Sequence, residues 1–146
     1  MLILNAPYFP VGEGAHEEWF ESMLRGRNDT VFFVIEDIET SQAIGTCQLL
    51  NINWVHRNAE LQIRIGEPAF HGKGYGSEAI QQLVDFGFRD LHLHRIFLHV
   101  FVSNTRAIKA YEKCGFAHEG VLREAAYIDG KYLDVQIMSI LRGMNE

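Results

Sequence analysis

Residues 71–76 read His-Gly-Lys-Gly-Tyr-Gly, and an apolar helical stripe starts directly after them. Three alternating glycines at a helix head restrict the backbone more than any other stretch of this chain. Glycine admits turns closed to other residues and lets N–H groups come close to a ligand. At a helix start, those N–H groups and the helix dipole suit a phosphate. On spacing alone, a glycine-rich turn that holds nothing remains a competing, lesser reading. Two well-known phosphate loops do not fit. A Walker A loop ends in Gly-Lys-Ser/Thr, whereas Lys73 stands between glycines and is followed by Gly74. The dinucleotide fingerprint is Gly-x-Gly-x-x-Gly near the start of a βαβ unit, whereas Gly72, Gly74 and Gly76 are evenly spaced and follow a mid-chain strand.

The surrounding pattern places this loop in a domain. AHEEWFESML (15–24) carries Trp19, Phe20, Met23 and Leu24 at helical spacing, and the residues before Trp19 read as loop. VFFVIED (31–37) and AIGTCQLLNI (43–52) read as strands joined by the turn-like IETSQ. In NAELQIRIG (58–66), Leu61, Ile63 and Ile65 alternate with Glu60, Gln62 and Arg64, which predicts a strand with one apolar face. From residue 77, Ile80, Leu83, Val84, Gly87, Phe88 and Leu91 form a helical stripe. RIFLHVFV (95–102) reads as a strand. NTRAIKAYEKCGF reads as a short helix, capped by Asn104 and ended by Gly115. The stretch from Gly120 to Leu141 reads as two strands around Asp129-Gly130. The order αββ-β-α-β-α-ββ predicts an α+β fold, a mixed and mostly antiparallel sheet with flanking helices, in a single domain over 1–146.

Composition narrows the function class. A net charge of −6 argues against a nucleic-acid binder and for a cationic or amine-bearing partner. No apolar run is long enough to span a membrane, and the opening lacks the basic and apolar regions of a secretory signal. Cys47 and Cys114 have no metal or redox spacing, so free thiols in a cytoplasmic protein are expected.

The order strand, HGKGYG, long helix, strand, N…AIKAYEKCGF resembles the GNAT superfamily of acetyl-CoA-dependent N-acetyltransferases. The family pattern Gln/Arg-x-x-Gly-x-Gly/Ala falls on residues 71–76, with His71 where Gln or Arg is usual. Asn104, Tyr111, Gly115 and Phe116 match a second motif. The resemblance covers roughly residues 15–142, and it is nearest to the ribosomal-protein (RimJ/RimL-type) and spermidine/spermine acetyltransferase branch. It implies the GNAT (acyl-CoA N-acyltransferase) fold. Family members usually begin with a strand and a helix ahead of the segment matching EEWFESML, and these are expected to be absent here. That leaves one sheet edge open and a homo-oligomer, a two-fold dimer, expected.

The resemblance implies acetyl-CoA as co-substrate and no metal. The pyrophosphate is expected on the backbone of His71, Gly72, Lys73, Gly74, Tyr75, Gly76 and Ser77, with Lys73 either adding charge or standing as a solvated lysine. Ile63, Arg64 and Ile65 are expected to offer strand backbone to the pantetheine arm, and a backbone N–H there to hold the thioester oxyanion. Asn104, Lys109 and Lys113 complete the expected cofactor contacts. An alkyl ammonium titrates near ~10.4, so at pH 7 the reactive amine is scarcer by roughly 3.4 units, about 4.6 kcal/mol. A base is therefore useful, and Glu60 is the candidate; an ordinary exposed strand carboxylate is the competing reading. Tyr111 is expected to protonate the leaving thiolate; the competing reading is a core tyrosine beside Ala107 and Ile108.

Other features read as structural. His92, His94 and His99 cross a helix-to-strand junction with no carboxylate in the local sequence to complete a metal set. Cys114 is expected to be a packed thiol, because direct transfer needs no acyl-cysteine. A CoA-binding module without catalysis is the competing class, disfavoured by Glu60 and Tyr111 together. For the acceptor, the reading leans to a protein or peptide N-terminus, with a polyamine second. Glu119, Glu124, Asp129 and Asp134 on the closing hairpin are either a cation-attracting rim or solvated loop charges.

Overall fold

The computed structural model describes residues 2–5, 29–66 and 74–143. The expected helix over 15–24 and the residues His71, Gly72 and Lys73 lie outside the described residues. β2 (Val31–Asp37) buries Val31, Phe33 and Ile35 in strict alternation, because β-branched and aromatic side chains fill one face of a pleated strand. β3 (Ala43–Asn53) and β4 (Asn58–Ile65) follow antiparallel, with Leu49 opposite Leu61 in the same core layer. α1 (Tyr75–Arg89) then leads to β5 (Arg95–Phe101), α2 (Thr105–Lys113), β6 (Ala117–Ile128) and β7 (Lys131–Leu141). β6 and β7 turn at Asp129 and Gly130, both with positive φ (51° and 77°), the geometry that an Asp-Gly hairpin turn favours.

One expectation is corrected at the chain's opening. Leu2–Asn5, read as loop, form β1, which pairs antiparallel with β2 from Leu2 opposite Asp37 to Asn5 opposite Val34. Three apolar residues followed by Asn5 are too short a run to show a period, and their backbone groups find partners on the edge of β2. The edge expected to be open is thus covered, and among the described residues the sheet runs β1-β2-β3-β4-β5-β7-β6.

α1 lies on the face that carries the core. It buries Ala79, Ile80, Leu83, Val84, Gly87 and Phe88. A Cβ at Gly87 would stand 2.9 Å from Ile96 Cδ1 and 3.2 Å from Leu49 Cδ1, so glycine lets the helix settle directly onto β3 and β5. Phe86 meets Phe33 edge to face, with ring centroids 5.2 Å apart. Leu91, expected in the helical stripe, is buried just beyond the helix end.

Candidate active site

β4 and β5 run parallel, yet they pair only at Asn58–Arg95, Ala59–Ile96 and Glu60–Phe97. β4 continues to Ile65 and β5 to Phe101. β3 holds the far edge of β4 as far as Ile65, and β7 holds the far edge of β5 along its whole length. Each strand is therefore anchored on its outside, and the two part on the inside. Ile63, Arg64 and Ile65 lie on β4 beside this fork, where an extended chain of amides would find strand backbone. Ala59 and Leu61 are buried on the α1 face, so Glu60, Gln62 and Arg64 turn to the opposite face. There Gln48 Nε2 donates to Gln62 Oε1 at 2.8 Å.

α1 starts at Tyr75, beyond residues 66–74 that separate it from β4. Its N-cap is Gly74, at φ 80° and ψ 0°, with no side-chain cap. That left-handed conformation suits glycine and strains a residue with a Cβ. A Cβ built at Gly74 or Gly76 meets nothing within 4 Å, so packing among the described residues requires neither glycine. The first helical bond runs from Glu78 N–H to the Gly74 carbonyl at 3.0 Å. The N–H groups of Gly76 and Ser77 have no helical carbonyl ahead of them, which is the arrangement that suits an oxyanion. The helix thus begins two residues earlier than the stripe indicated, because Tyr75 and Gly76 lack the apolar periodicity that marks helix in sequence.

α2 ends beside the start of α1. Cys114 Sγ donates to the Ser77 carbonyl at 3.4 Å. At the same end, Gly115 N–H bonds the Glu112 carbonyl and Phe116 N–H bonds the Tyr111 carbonyl, each at 3.0 Å, with Gly115 at φ 100°. This is a Schellman cap, and its usual apolar contact is the Tyr111–Phe116 ring pair at 5.7 Å. The Tyr-x-x-x-Gly-Phe spacing therefore fixes the Tyr111 ring through both backbone and side chain. Burial, with a smaller push from Cys114, raises the Tyr111 hydroxyl to about 12, so at neutral pH it keeps the proton it would donate. Burial also raises the Cys114 thiol, against the lowering effects of Lys113 and the Ser77 bond. That agrees with a packed thiol rather than a nucleophile. Asn104 caps α2 as expected, its Oδ1 accepting from Ala107 N–H at 3.3 Å. Lys109 and Lys113 are exposed on α2.

Two readings of charge change. The histidine cluster was set aside for want of a carboxylate, yet His99 Nδ1 lies 3.1 Å from Glu60 Oε2. The partner comes from the neighbouring strand, which no local spacing reveals; the signal available was that both residues lie on the solvent-side parity of adjacent strands. On the closing hairpin, Glu119 pairs with Arg95, and its carboxyl is held low by a Ser139 hydrogen bond and by Arg95. Asp134 Oδ1 accepts from Glu124 N–H at 2.8 Å, across the irregular register between Leu122 and Ala126. Both carboxylates have structural work, which narrows the expected cation-attracting rim.

A family model for the acetyltransferase (GNAT) domain matches residues 5–117. The spermidine N(1)-acetyltransferase of Vibrio cholerae is 46% identical over 110 residues, which is 75% of this chain and 62% of that protein. The Escherichia coli K12 spermidine N(1)-acetyltransferase is 38% identical over 110 residues, 75% of this chain and 58% of the relative. The chain thus spans less than two thirds of these curated relatives. A probable N-acetyltransferase of Bacillus subtilis, YjcK, is 34% identical and covers 95% of this chain and 77% of its own length. Among solved structures, the Vibrio cholerae spermidine N-acetyltransferase in complex with CoA and spermine superposes with a TM-score of 0.77 at 39% identity, over 93% of this chain and 79% of that one. Since the matched span takes in the strand fork, the glycine helix head and the Tyr111 helix together, the chain belongs to the GNAT family of acetyltransferases.

Proposed function

We propose that this chain moves the acetyl group of acetyl-CoA directly to a primary amine, and that the amine belongs to a polyamine such as spermidine. The observation that carries the transfer is the fork that opens after Glu60–Phe97, with the uncapped head of α1 and the buried Tyr111 at the α1–α2 junction. The pyrophosphate sits at the head of α1, on the N–H groups that follow Gly74. The pantetheine arm lies along Ile63–Ile65, and a β4 N–H holds the oxyanion as the amine adds. Asn104 spends its Oδ1 on the helix cap, so a bond to the pantetheine arm falls to its Nδ2. Glu60 stands at the fork on the side from which the amine comes, and Tyr111 gives its proton to the departing thiolate. The polyamine is supported by the relatives named for spermidine and by the chain's net charge of −6. An N-terminal peptide amine is the second reading, because an α-amine titrates near ~8 and needs less help to react.

Thiol release from acetyl-CoA with spermidine and with short peptides, at low and high salt, separates the two. The expected result is turnover of spermidine with a kcat/KM that falls as salt screens the carboxylates. Faster turnover of a peptide overturns the polyamine, and no turnover of any amine overturns the transferase.

We also propose a homo-oligomer that joins through β6. With β1 covering β2, β6 is the long edge strand among the described residues, and Val121, Leu122, Tyr127 and Ile128 are exposed along it. A monomer at micromolar concentration by light scattering removes this proposal.

A further inference from the structure

His99 and Glu60 meet across the fork. Glu60 is the last β4 residue to pair with β5, opposite Phe97, and His99 lies two positions further along β5 on the same face. Phe97 stands edge-on to the His99 ring at 6.0 Å and limits its tilt. The Glu60 side chain is 15% exposed and that of His99 39%, so the carboxylate lies deeper and the ring reaches toward solvent. An ionised carboxylate only accepts, so Nδ1 carries the proton of the 3.1 Å bond and Nε2 keeps its lone pair. Among the described residues, the other charged groups on this face are Arg64 on β4, Arg95, over the Phe97 ring at 5.5 Å, and its partner Glu119 on β6. From β7, Ile137 stands opposite His99 and Ser139 opposite Phe97.

We propose that His99 is the group that takes the proton from the acceptor ammonium, with Glu60 as the carboxylate that orients it. This inference rests on the amine-transfer reading above and adds the proton's route to it. A free imidazole titrates roughly two units closer to an alkyl amine than a free carboxylate does, so it is the better acceptor of that proton. A carboxylate behind the ring fixes the tautomer with Nε2 as the base and stabilises the imidazolium that forms. The ammonium proton passes to Nε2 and leaves to water through the ring's exposed edge. The freed lone pair attacks the thioester carbon, the C–N bond forms and the C–S bond breaks. Tyr111 protonates the thiolate, and the second proton shed by the nitrogen restores Tyr111 by way of water. Overall, ammonium and acetyl-CoA give amide, CoA thiol and one proton.

The test uses the whole chain and its variants His99→Gln, His99→Ala and Glu60→Gln, with spermidine as acceptor. His99→Gln is expected to lower kcat/KM on the order of 100-fold at pH 7. The deficit should close as the pH approaches the amine's own titration, and acetyl-CoA affinity by calorimetry should not change. Added imidazole should restore part of the activity of His99→Ala. Glu60→Gln should cost about tenfold. Wild-type activity in His99→Gln across the pH range overturns the proposal while leaving the transferase intact. So does a pH-independent loss without imidazole rescue, which marks a structural role. A Glu60→Gln rate equal to wild type at every pH overturns the pairing. A wild-type chain that binds acetyl-CoA yet acetylates no amine overturns both the transferase and this inference.

Discussion

The two helices begin in opposite ways. α2 starts at Asn104, whose side chain turns back to accept from Ala107 N–H, so the helix meets part of its own need for acceptors. α1, the longer helix, starts at Gly74 in a left-handed conformation with no side-chain cap. A self-capped start is worth about 1 kcal/mol of stability, and α1 forgoes it. What replaces it is heavy burial: Leu83 and Val84 are fully buried, and Gly87 lets the helix touch the sheet. α1 is held by its flank, so its head is available to bind. α2 buries only Tyr111 among its residues and depends on its ends, a side-chain cap at one and a Schellman motif at the other.

Replacing Gly74 breaks the contrast most directly. Gly74→Val forces a β-branched residue into φ 80°, where strain of about 1–3 kcal/mol is expected, and puts a Cβ where the proposed pyrophosphate would approach. Acetyl-CoA affinity by calorimetry on folded protein should fall on the order of 100-fold. Gly76→Ala separates strain from access. It stands inside the helix, where alanine is favoured by roughly 0.5–1 kcal/mol, and its Cβ meets no described atom within 4 Å. A more stable Gly76→Ala protein that binds acetyl-CoA less well supports the cradle. Unchanged affinity in both variants removes it.

Tyr111→Phe moves the comparison to the other end of α2. The Phe116 contact survives, and the proton donor is lost. The rate should fall about 10–100-fold with acetyl-CoA affinity retained. The same variant has an alkaline signature. Tyr111 titrates at about 12 when folded and near ~10 unfolded, so above pH 10 the unfolded chain releases a proton that the folded chain keeps. Stability therefore falls with rising pH in that window, by roughly 2–3 kcal/mol by pH 12. Tyr111→Phe should lack that part of the alkaline loss in urea unfolding. A wild-type rate in Tyr111→Phe sinks the acid assignment, whatever the titration shows.

Strands β2 to β7 and both described helices were legible in sequence through local signals, among them the alternation of β4, the stripe of α1, and the Asn104 and Gly115 signals that bound α2. Gly74 and Tyr111 were singled out by the resemblance of their motifs to the GNAT family; that they sit at a left-handed N-cap and in a Schellman cap is seen only in the structure. The Glu60–His99 contact was not. It joins positions 39 apart in the chain, and it exists because two parallel strands stay together for three pairs and then part. Strand β1 escaped for a related reason, since its stability comes from the edge of β2 rather than from its own four residues. The carboxylates of Glu119 and Asp134 resembled a charged rim because their partners, Arg95 and the backbone of Glu124, are set by register.

The smallest effect is expected at Asn104, and it tests whether the α2 cap serves only the helix. Asn104→Ala removes the acceptor for Ala107 N–H and should cost about 1 kcal/mol in urea unfolding. Asn104→Ser restores a capping oxygen, because serine ranks with asparagine at this position, but it has no amide Nδ2 to offer a ligand. If Asn104 acts as a cap alone, the serine variant recovers both stability and acetyl-CoA affinity. If its Nδ2 also donates to the pantetheine arm, the serine variant recovers stability while acetyl-CoA binds several-fold more weakly, the size expected from one neutral hydrogen bond. An alanine variant as stable as wild type would mean that the cap contributes nothing measurable, and the two helix starts would then differ in geometry without differing in energy.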